Sequence, residues 1–203
     1  MLTILKNKLR IWQLVGIACI VALLTACVPT SENPLPVSAD TPLDTALYGA
    51  WLGQVDAEDD PVFLHFVKTQ DGNNKAILVT VQDEGEPDGG WAEFDVTSSS
   101  LANGTFLNLF WTESDGEPVE DLKGIHLVRY ILDTDGKLSL YFIDADLLQE
   151  AIENGTLEGD ITSSGVTNRI RVTASSEALA DFVDSNDPDT LFSEFYGSFK
   201  KAI

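Results

Sequence analysis

The sequence predicts a mainly β domain in which eight strands form an antiparallel meander and a few helices pack outside it. From residue 48 onward, short runs rich in Val, Ile, Leu and aromatic residues are separated by clusters of Gly, Asn, Asp and Pro, as in strands joined by turns. Because most connections are short, neighbouring strands are expected to pair antiparallel. Closing the meander into a barrel leaves no unpaired edge, so we predict a barrel, with a two-sheet sandwich as the alternative.

Eight segments carry the strand pattern and are bounded by turn residues. They are 48–55, 62–69, 75–82, 91–97, 105–112, 124–132, 137–143 and 166–173. Asn103-Gly104 and Asp133-Thr134-Asp135-Gly136 are typical of hairpin turns between consecutive strands. Glu93 and Asp95 share one face of the fourth strand, which could not offer that face to lipid. A membrane-spanning barrel is therefore not expected.

Three helices are predicted after the seventh strand. Asp144 can cap a first helix that ends near Gly155, and Ser175 can cap a second. Asp187-Pro188 favours the start of a third, because a capping residue precedes proline at the first helical position. This helix is expected to continue to Lys201, since apolar residues recur along it at helical spacing. They are Leu191, Phe192, Phe195, Tyr196 and Phe199.

The composition is that of one acidic globular domain. Apolar residues make up 44% of the 203 residues, which is too many for a disordered acidic protein. The formal net charge is −21 at pH 7, with 33 acidic residues against 12 Lys and Arg. Such a surface repels nucleic acid, and a nucleic-acid partner is not expected.

The first 27 residues have the layout of a cleaved export signal. Lys6, Lys8 and Arg10 precede the apolar run 11–24, which is short for a spanning helix. The run ends in Leu24-Thr25-Ala26-Cys27, which resembles the lipobox of bacterial lipoproteins. The resemblance implies cleavage after Ala26, a diacylglyceryl group on the Cys27 thiol and an acyl chain on the new amine. Two or three chains would anchor the protein stably in a membrane of the cell envelope.

The lipobox divides the chain into a signal peptide, 1–26, and a mature protein that begins at Cys27. In Gram-negative lipoproteins an Asp after the cysteine favours the inner membrane, so Val28 favours the outer membrane. Residues 27–46 contain four prolines without periodicity, which predicts an extended tether that carries the domain 47–203. Cys27 is the only cysteine of the mature chain, so no disulfide is expected.

The first strand begins with Gly49-Ala50-Trp51, which resembles the Gly-x-Trp motif of lipocalins. In that family the Trp closes the barrel floor and an Arg of the last strand packs across it, which would be Arg169 or Arg171 here. The family's Thr-Asp-Tyr motif is missing, and residues 144–160 are an addition before the predicted last strand. The resemblance implies the binding of a small apolar ligand. The alternative is that Trp51 is an ordinary core residue.

Arg129 is the second candidate binding residue. Arg129 lies on the same face of its predicted strand as Ile125 and Leu127. If this face points into the barrel, the buried guanidinium needs a partner. It could then bind a ligand at the barrel mouth. The alternatives are an ion pair that closes the barrel, or an outward face covered by a helix.

Catalytic patterns are missing from the sequence. The two histidines, His65 and His126, lie on different predicted strands, and neither has a metal-ligand spacing. The mature chain has no free thiol, no Gly-x-Ser-x-Gly elbow and no phosphate-binding Gly loop. No enzymatic activity, metal or cofactor is expected.

Two functions fit these observations. The first is a lipid-anchored, non-catalytic barrel that binds a small apolar ligand or an envelope partner. The second is a structural or protein-interaction lipoprotein whose barrel is filled and holds no ligand. A cavity inside the barrel would favour the first function, and a filled interior would favour the second.

Overall fold

The computed structural model describes residues 28–39, 42–54, 61–80, 90–119, 124–164 and 167–202. The signal peptide and Cys27 lie outside these ranges. The strands are β1 Thr30–Ser31, β2 Gly49–Gln54, β3 Val62–Lys68, β4 Asn74–Thr80, β5 Trp91–Leu101, β6 Gly104–Ser114, β7 Glu117–Pro118, β8 Ile125–Leu132, β9 Lys137–Phe142, β10 Gly159–Ser164, β11 Thr167–Val172 and β12 Glu194–Lys201. The helices are α1 Ala145–Glu153, α2 Ser176–Ser185 and α3 Pro188–Leu191, and a 3-10 turn spans Thr45–Leu47. Within the described ranges, none of the helices is long and apolar enough to cross a membrane.

Eight of the strands form a closed antiparallel barrel. They follow one another around it in the order β2, β3, β4, β5, β6, β8, β9 and β12, and β12 pairs with β2. The barrel and its meander topology are therefore confirmed, and the sandwich alternative is wrong. Two ends can be distinguished. The hairpin end carries the β3–β4, β5–β6 and β8–β9 turns, and the loop end is where β3, β5 and β8 begin.

The eighth barrel strand is not the predicted one. Residues 167–172 form β11, which pairs with β10 and β1 outside the barrel. The barrel is closed by β12, although the sequence predicted that α3 would continue through this segment. The helix ends at Leu191 instead. Gly197 weakens a helix at this point, and both neighbouring barrel strands offer free hydrogen-bonding groups to β12.

A register shift in β12 explains why its sequence resembles a helix. The shift lies between Phe195 and Gly197, so Tyr196 and Phe199, which are three residues apart, both lie in the barrel core. Phe195 contacts Tyr141 outside the barrel, whereas Tyr196 contacts Phe142 within it. In a regular strand residues three apart point to opposite faces, so the shift allows β12 to bury aromatic residues that have a helical spacing.

In the part of the chain that the structure describes, the side chains of the barrel fill the centre and the hairpin end of its interior. Twelve inward-facing residues, drawn from all eight strands, are at most 5% exposed. They are Trp51, Val62, Leu64, Phe66, Ala76, Val96, Leu107, Val128, Tyr130, Leu138, Leu140 and Phe199. Large aromatic rings from β2, β3 and β12 are among them, and they occupy the space that a ligand would need.

A second core lies between the outer face of β6, β8 and β9 and the three helices. Phe106 and Leu127 point outward from the wall and pack with Leu148, Leu179 and Phe192. The helices begin at the predicted caps. The caps are Asp144, whose Oδ1 accepts from the Leu147 amide at 3.0 Å, Ser175, whose Oγ accepts from Ala178 at 3.2 Å, and Asp187, whose Oδ2 accepts from Thr190 at 3.0 Å.

The segment predicted as a tether is part of the folded domain. We call residues 28–39 and 42–47 the N-terminal arm. Ser31 is fully buried and pairs with Ile125 of β8, while β1 runs parallel to β11. The Leu35 amide donates to Asn108 Oδ1 at 2.8 Å, and Asn108 Nδ2 donates to the Leu35 carbonyl at 3.2 Å. Because Leu35 is also fully buried, the arm is fixed against the barrel wall.

The arm continues to the hairpin end and covers it. The Asp44 amide donates to Ser98 Oγ at 2.7 Å, and the Tyr130 hydroxyl donates to Asp44 Oδ2 at 3.0 Å. Leu43 and Leu47 are buried in the barrel core. The described residues of the segment predicted as a tether therefore pack on the barrel and do not extend away from it. Proline correctly predicts extended backbone here, but isolated leucines give no periodicity that reveals packing.

Candidate functional site

Trp51 lies inside the hairpin end of the barrel. Its ring is 1% exposed, and its Nε1 donates to the Leu47 carbonyl at 2.7 Å. The Lys201 Nζ lies 5.2 Å from the centroid of the ring and donates to the Ala46 carbonyl at 3.1 Å. Trp51 thus joins the arm, the first barrel strand and the last one. This arrangement is consistent with a residue that closes the barrel floor.

The cation over Trp51 is Lys201, not Arg169 or Arg171. Both arginines belong to β11, outside the barrel, and Arg171 Nη2 pairs with Glu32 Oε1 at 3.1 Å. The expectation followed from taking residues 166–173 as the closing strand. Lys201 could have been found only by recognising β12 as a strand, because it then faces Trp51 in the ladder.

The conformation of Gly49 explains why a glycine stands two residues before Trp51 in this chain. Its φ is +120°, a conformation that other residues rarely adopt. A Cβ at this position would lie 3.1 Å from the Lys201 Cε. Glycine therefore permits both the turn into β2 and the approach of the lysine stem to the ring of Trp51.

Arg129 lies on the outer face of the barrel. His126, Val128 and Tyr130 are the inward residues of β8, so Arg129 points towards the helices. Its Nη1 is 2.6 Å from Asp189 Oδ1 of α3. This geometry matches the alternative in which Arg129 lies on the outer face and a helix covers it. Arg129 is therefore away from the barrel mouth. The structure does not bring Trp51 and Arg129 together.

The Arg129–Asp189 pair is expected to contribute little to stability. Its arginine side chain is 13% exposed but its aspartate is 79% exposed, so water screens the carboxylate. A double-mutant cycle with Arg129→Met and Asp189→Asn should give a coupling energy of about 0.2–1 kcal/mol. Urea unfolding of the four proteins measures it. A coupling of several kcal/mol would show that the pair is a desolvated structural element instead.

His126 is the buried histidine, and it points into the loop end of the barrel. Its ring hydrogen-bonds the backbone of Pro29 in the arm, while Nδ1 has no partner among the described residues. Burial lowers the pKa of the imidazole, and the bond to Pro29 only partly opposes this. His65 is exposed on the outer face of β3. In the part of the chain that the structure describes, no three His, Cys, Asp or Glu side chains are grouped to hold a metal ion.

Because burial favours the neutral form of His126, we expect the folded domain to lose stability in mild acid. The unfolded chain binds a proton near the ordinary pKa of 6.5, whereas the folded chain binds it only at lower pH. The free energy of unfolding should therefore fall as the pH decreases through 6.5, and stop falling below the folded pKa. Urea unfolding between about pH 8 and 5 measures this slope for the parent and for His126→Gln.

In His126→Gln, the part of the pH dependence of the unfolding free energy that comes from His126 should disappear. The matched control is His65→Gln, which removes the exposed histidine, and only a loss of slope that His126→Gln shows beyond this control is assigned to His126. An equal slope in the parent and in His126→Gln would contradict the assignment to His126.

Two surface cavities follow the N-terminal arm. The larger has a volume of about 460 Å³ and lies between Pro34, Pro42, the β3–β4 turn and Phe110. The smaller, of about 340 Å³, lies at the hairpin end beside Asp44 and Tyr130. Both are lined by polar and apolar groups and open to solvent. Neither is lined by Trp51 or Arg129.

Asn108 is a structural residue that the sequence analysis missed. Besides its two bonds to Leu35, its Nδ2 donates to Thr97 Oγ1 at 3.1 Å, and its side chain is buried. The sequence does contain a sign of this role, because the amide of Asn108 interrupts the apolar run Phe106-Leu107-Asn108-Leu109-Phe110. A buried amide needs hydrogen-bond partners. Those partners could not be identified because the arm was taken as a tether.

Comparisons of the chain with protein-family models, with curated proteins and with solved structures find no match.

Proposed function

We propose that this protein is a non-catalytic lipoprotein of the bacterial envelope that binds another envelope component through its outer surface. The observation that carries the proposal is the filled interior of the barrel. A ligand carrier of this size needs an internal cavity, typically of several hundred Å³. Here Trp51, Phe66 and Phe199 occupy the centre and are almost fully buried.

The lipid anchor in this proposal rests on the lipobox and on Cys27. The outer membrane as its location rests on Val28. The acidic character of the chain favours a partner with a basic surface, because charges of opposite sign accelerate and orient association.

A small apolar ligand remains the second candidate, and the larger surface cavity supports it. Phe110 is exposed beside Pro34, Pro42 and Ile125 there, and the volume of about 460 Å³ is that of a small-ligand site. Asp95, Asn74 and Asn108 also line this cavity, so a wholly apolar ligand would leave polar groups without partners.

Native mass spectrometry of the full lipoprotein, extracted from its membrane, distinguishes the two functions. A binding protein with a filled barrel should show the mass of the acylated chain alone, and crosslinking in the membrane should capture a protein partner. A small molecule that is lost on denaturation would support the carrier instead. In Cys27→Ser the acyl mass should disappear, and the protein should no longer sediment with membranes.

A further inference from the structure

The larger surface cavity lies at a step in the wall of the barrel. The pairing of β4 with β5 ends at Asp95, whereas β5 continues to Leu101. The outer face of β5 and β6 therefore forms the floor of the cavity, and the β3–β4 turn surrounds it together with Pro34 and Pro42 of the N-terminal arm. All eleven residues that line the cavity belong to the described ranges.

Hydrogen bonds to the barrel hold the arm beside this cavity. The Asn108 side chain accepts from the Leu35 amide at 2.8 Å and donates to the Leu35 carbonyl at 3.2 Å. The Ser98 amide donates to the Pro42 carbonyl at 2.8 Å. These parts of the cavity wall are fixed before a ligand arrives, so a ligand would not have to order them.

Phe110 supplies an exposed aromatic surface at the floor of the cavity. Its side chain is 41% exposed, and it lies between Asp95 of β5 and Ile125 of β8 as their cross-strand neighbour. Ile125 and Pro34 line the cavity with apolar surface, whereas Asp95 offers a carboxylate. The face of an aromatic ring packs well against the C–H groups of a ring-shaped ligand.

Two asparagines of the β3–β4 hairpin line the same cavity and have hydrogen-bonding atoms left for a ligand. The Tyr48 hydroxyl donates to Asn74 Oδ1 at 2.6 Å, which leaves the Asn74 Nδ2 as a donor. The Asn73 Nδ2 donates to Asp71 Oδ2 at 2.9 Å, which leaves the Asn73 Oδ1 as an acceptor. The cavity therefore offers donors and acceptors together.

The charge at the cavity favours a neutral ligand. Of the described residues that line it, only Asp95 is charged, and its Oδ1 is 2.9 Å from the Lys75 Nζ. This ion pair offsets much of the charge of the carboxylate and leaves its Oδ2 as an acceptor. An anionic ligand would find no cation among these lining residues, and the net charge of −21 would repel it.

We propose that this cavity binds a neutral saccharide, with a sugar ring on the face of Phe110 and its hydroxyl groups on the polar side chains beside it. A hydroxyl both donates and accepts, so neighbouring hydroxyls of one sugar can serve the Asn74 donor and the Asp95 acceptor together. A wholly apolar ligand would leave these groups without partners. The inference rests on the proposed function, in which the outer surface binds an envelope component, and it names a neutral glycan as the component for this cavity.

A glycan array that holds neutral and acidic saccharides tests the class of ligand. The full lipoprotein is extracted into a polyoxyethylene detergent, because a glucoside detergent would compete for the cavity. Binding to a set of neutral glycans is expected, with little binding to sulfated or carboxylated ones. Binding to no glycan, or to acidic glycans alone, would overturn the inference.

Substitutions then test the position of the site, with the Kd of the best neutral glycan measured by titration calorimetry. Phe110→Ala should weaken binding about ten-fold, because the ring that supports the sugar is removed. Asp95→Ala should weaken it several-fold, because an acceptor for the hydroxyl groups is lost. Unchanged binding in either variant would overturn the placement of the sugar in this cavity.

Phe63→Ala is the matched control for the loss of an exposed aromatic ring. Phe63 is 39% exposed on the outer face of β3, and it does not line the cavity. Its substitution should change the Kd by less than about two-fold. Equal weakening in Phe63→Ala and Phe110→Ala would contradict a specific role of the cavity.

Intact mass and crosslinking separate this inference from the proposed function. An acylated chain that is crosslinked to a protein partner but binds no glycan would contradict only the inference. A chain that carries no acyl mass but binds neutral glycans would contradict only the lipid anchor. As a folding control, each variant should unfold at a urea midpoint close to that of the parent, because all three substituted side chains are exposed.

Discussion

Replacing Trp51 with alanine is expected to lower the free energy of unfolding by about 3–5 kcal/mol. The substitution removes the largest side chain of the barrel interior and leaves a cavity that rigid strands on all sides cannot close. The Leu47 carbonyl would lose its indole donor, and Lys201 would lose the ring over which it lies. Urea unfolding at pH 7, followed by circular dichroism, measures the loss.

Trp91→Ala is the matched control for this prediction. Trp91 is a strand residue of the same size, but it lies on the outer face and is only partly buried. We expect its substitution to cost about 1–2 kcal/mol, since part of the ring already contacts water and its removal leaves no closed cavity. Equal losses for both tryptophans would contradict a filled barrel with Trp51 at its centre.

Local patterns in the sequence predicted most of the barrel. The first seven strands alternate between apolar runs and strong turns, and the structure confirms each of them in its described part. The closing strand was missed because its aromatic residues have a helical spacing, which β12 accommodates by a register shift. Its pairing with both β9 and β2 is a long-range property, and a single sequence contains no sign of it.

The orientation of Arg129 could not be predicted for a related reason. On β8, Ile125 and Leu127 share one face, and Val128 and Tyr130 share the other. Both faces are apolar because one lines the barrel and the other supports the helices. Alternation identifies a strand with one buried face, but it cannot tell inside from outside when both faces are buried.

Two of the constraints around Trp51 are local to its motif. The positive φ of Gly49 and the indole bond to the Leu47 carbonyl involve residues within or next to the motif, whereas the approach of Lys201 depends on the distant strand β12. The arm was not predicted because it is fixed by distant partners. Asn108 and Ser99 lie more than 60 positions from the arm residues that they bind.

A chain that begins at Leu47 is expected to lose most of its stability relative to one that begins at Val28. The missing arm contributes Leu35 and Leu43, both almost fully buried, and each such leucine is worth about 2–5 kcal/mol. Its removal also exposes apolar wall residues and leaves the buried Asn108 amide without the Leu35 backbone. Because domains of this size are stable by only about 5–15 kcal/mol, the shortened chain should be largely unfolded or close to it.

Single substitutions in the arm should show smaller losses of stability that depend on how deeply each residue is buried. Leu35→Ala in the longer chain should lower the free energy of unfolding by about 2–5 kcal/mol, whereas Val37→Ala, at an exposed position of the same arm, should cost about 0.5 kcal/mol or less. Thermal and urea unfolding of all four chains provides the comparison. If the chains that begin at Val28 and at Leu47 unfold at the same midpoint, the arm does not stabilise the barrel.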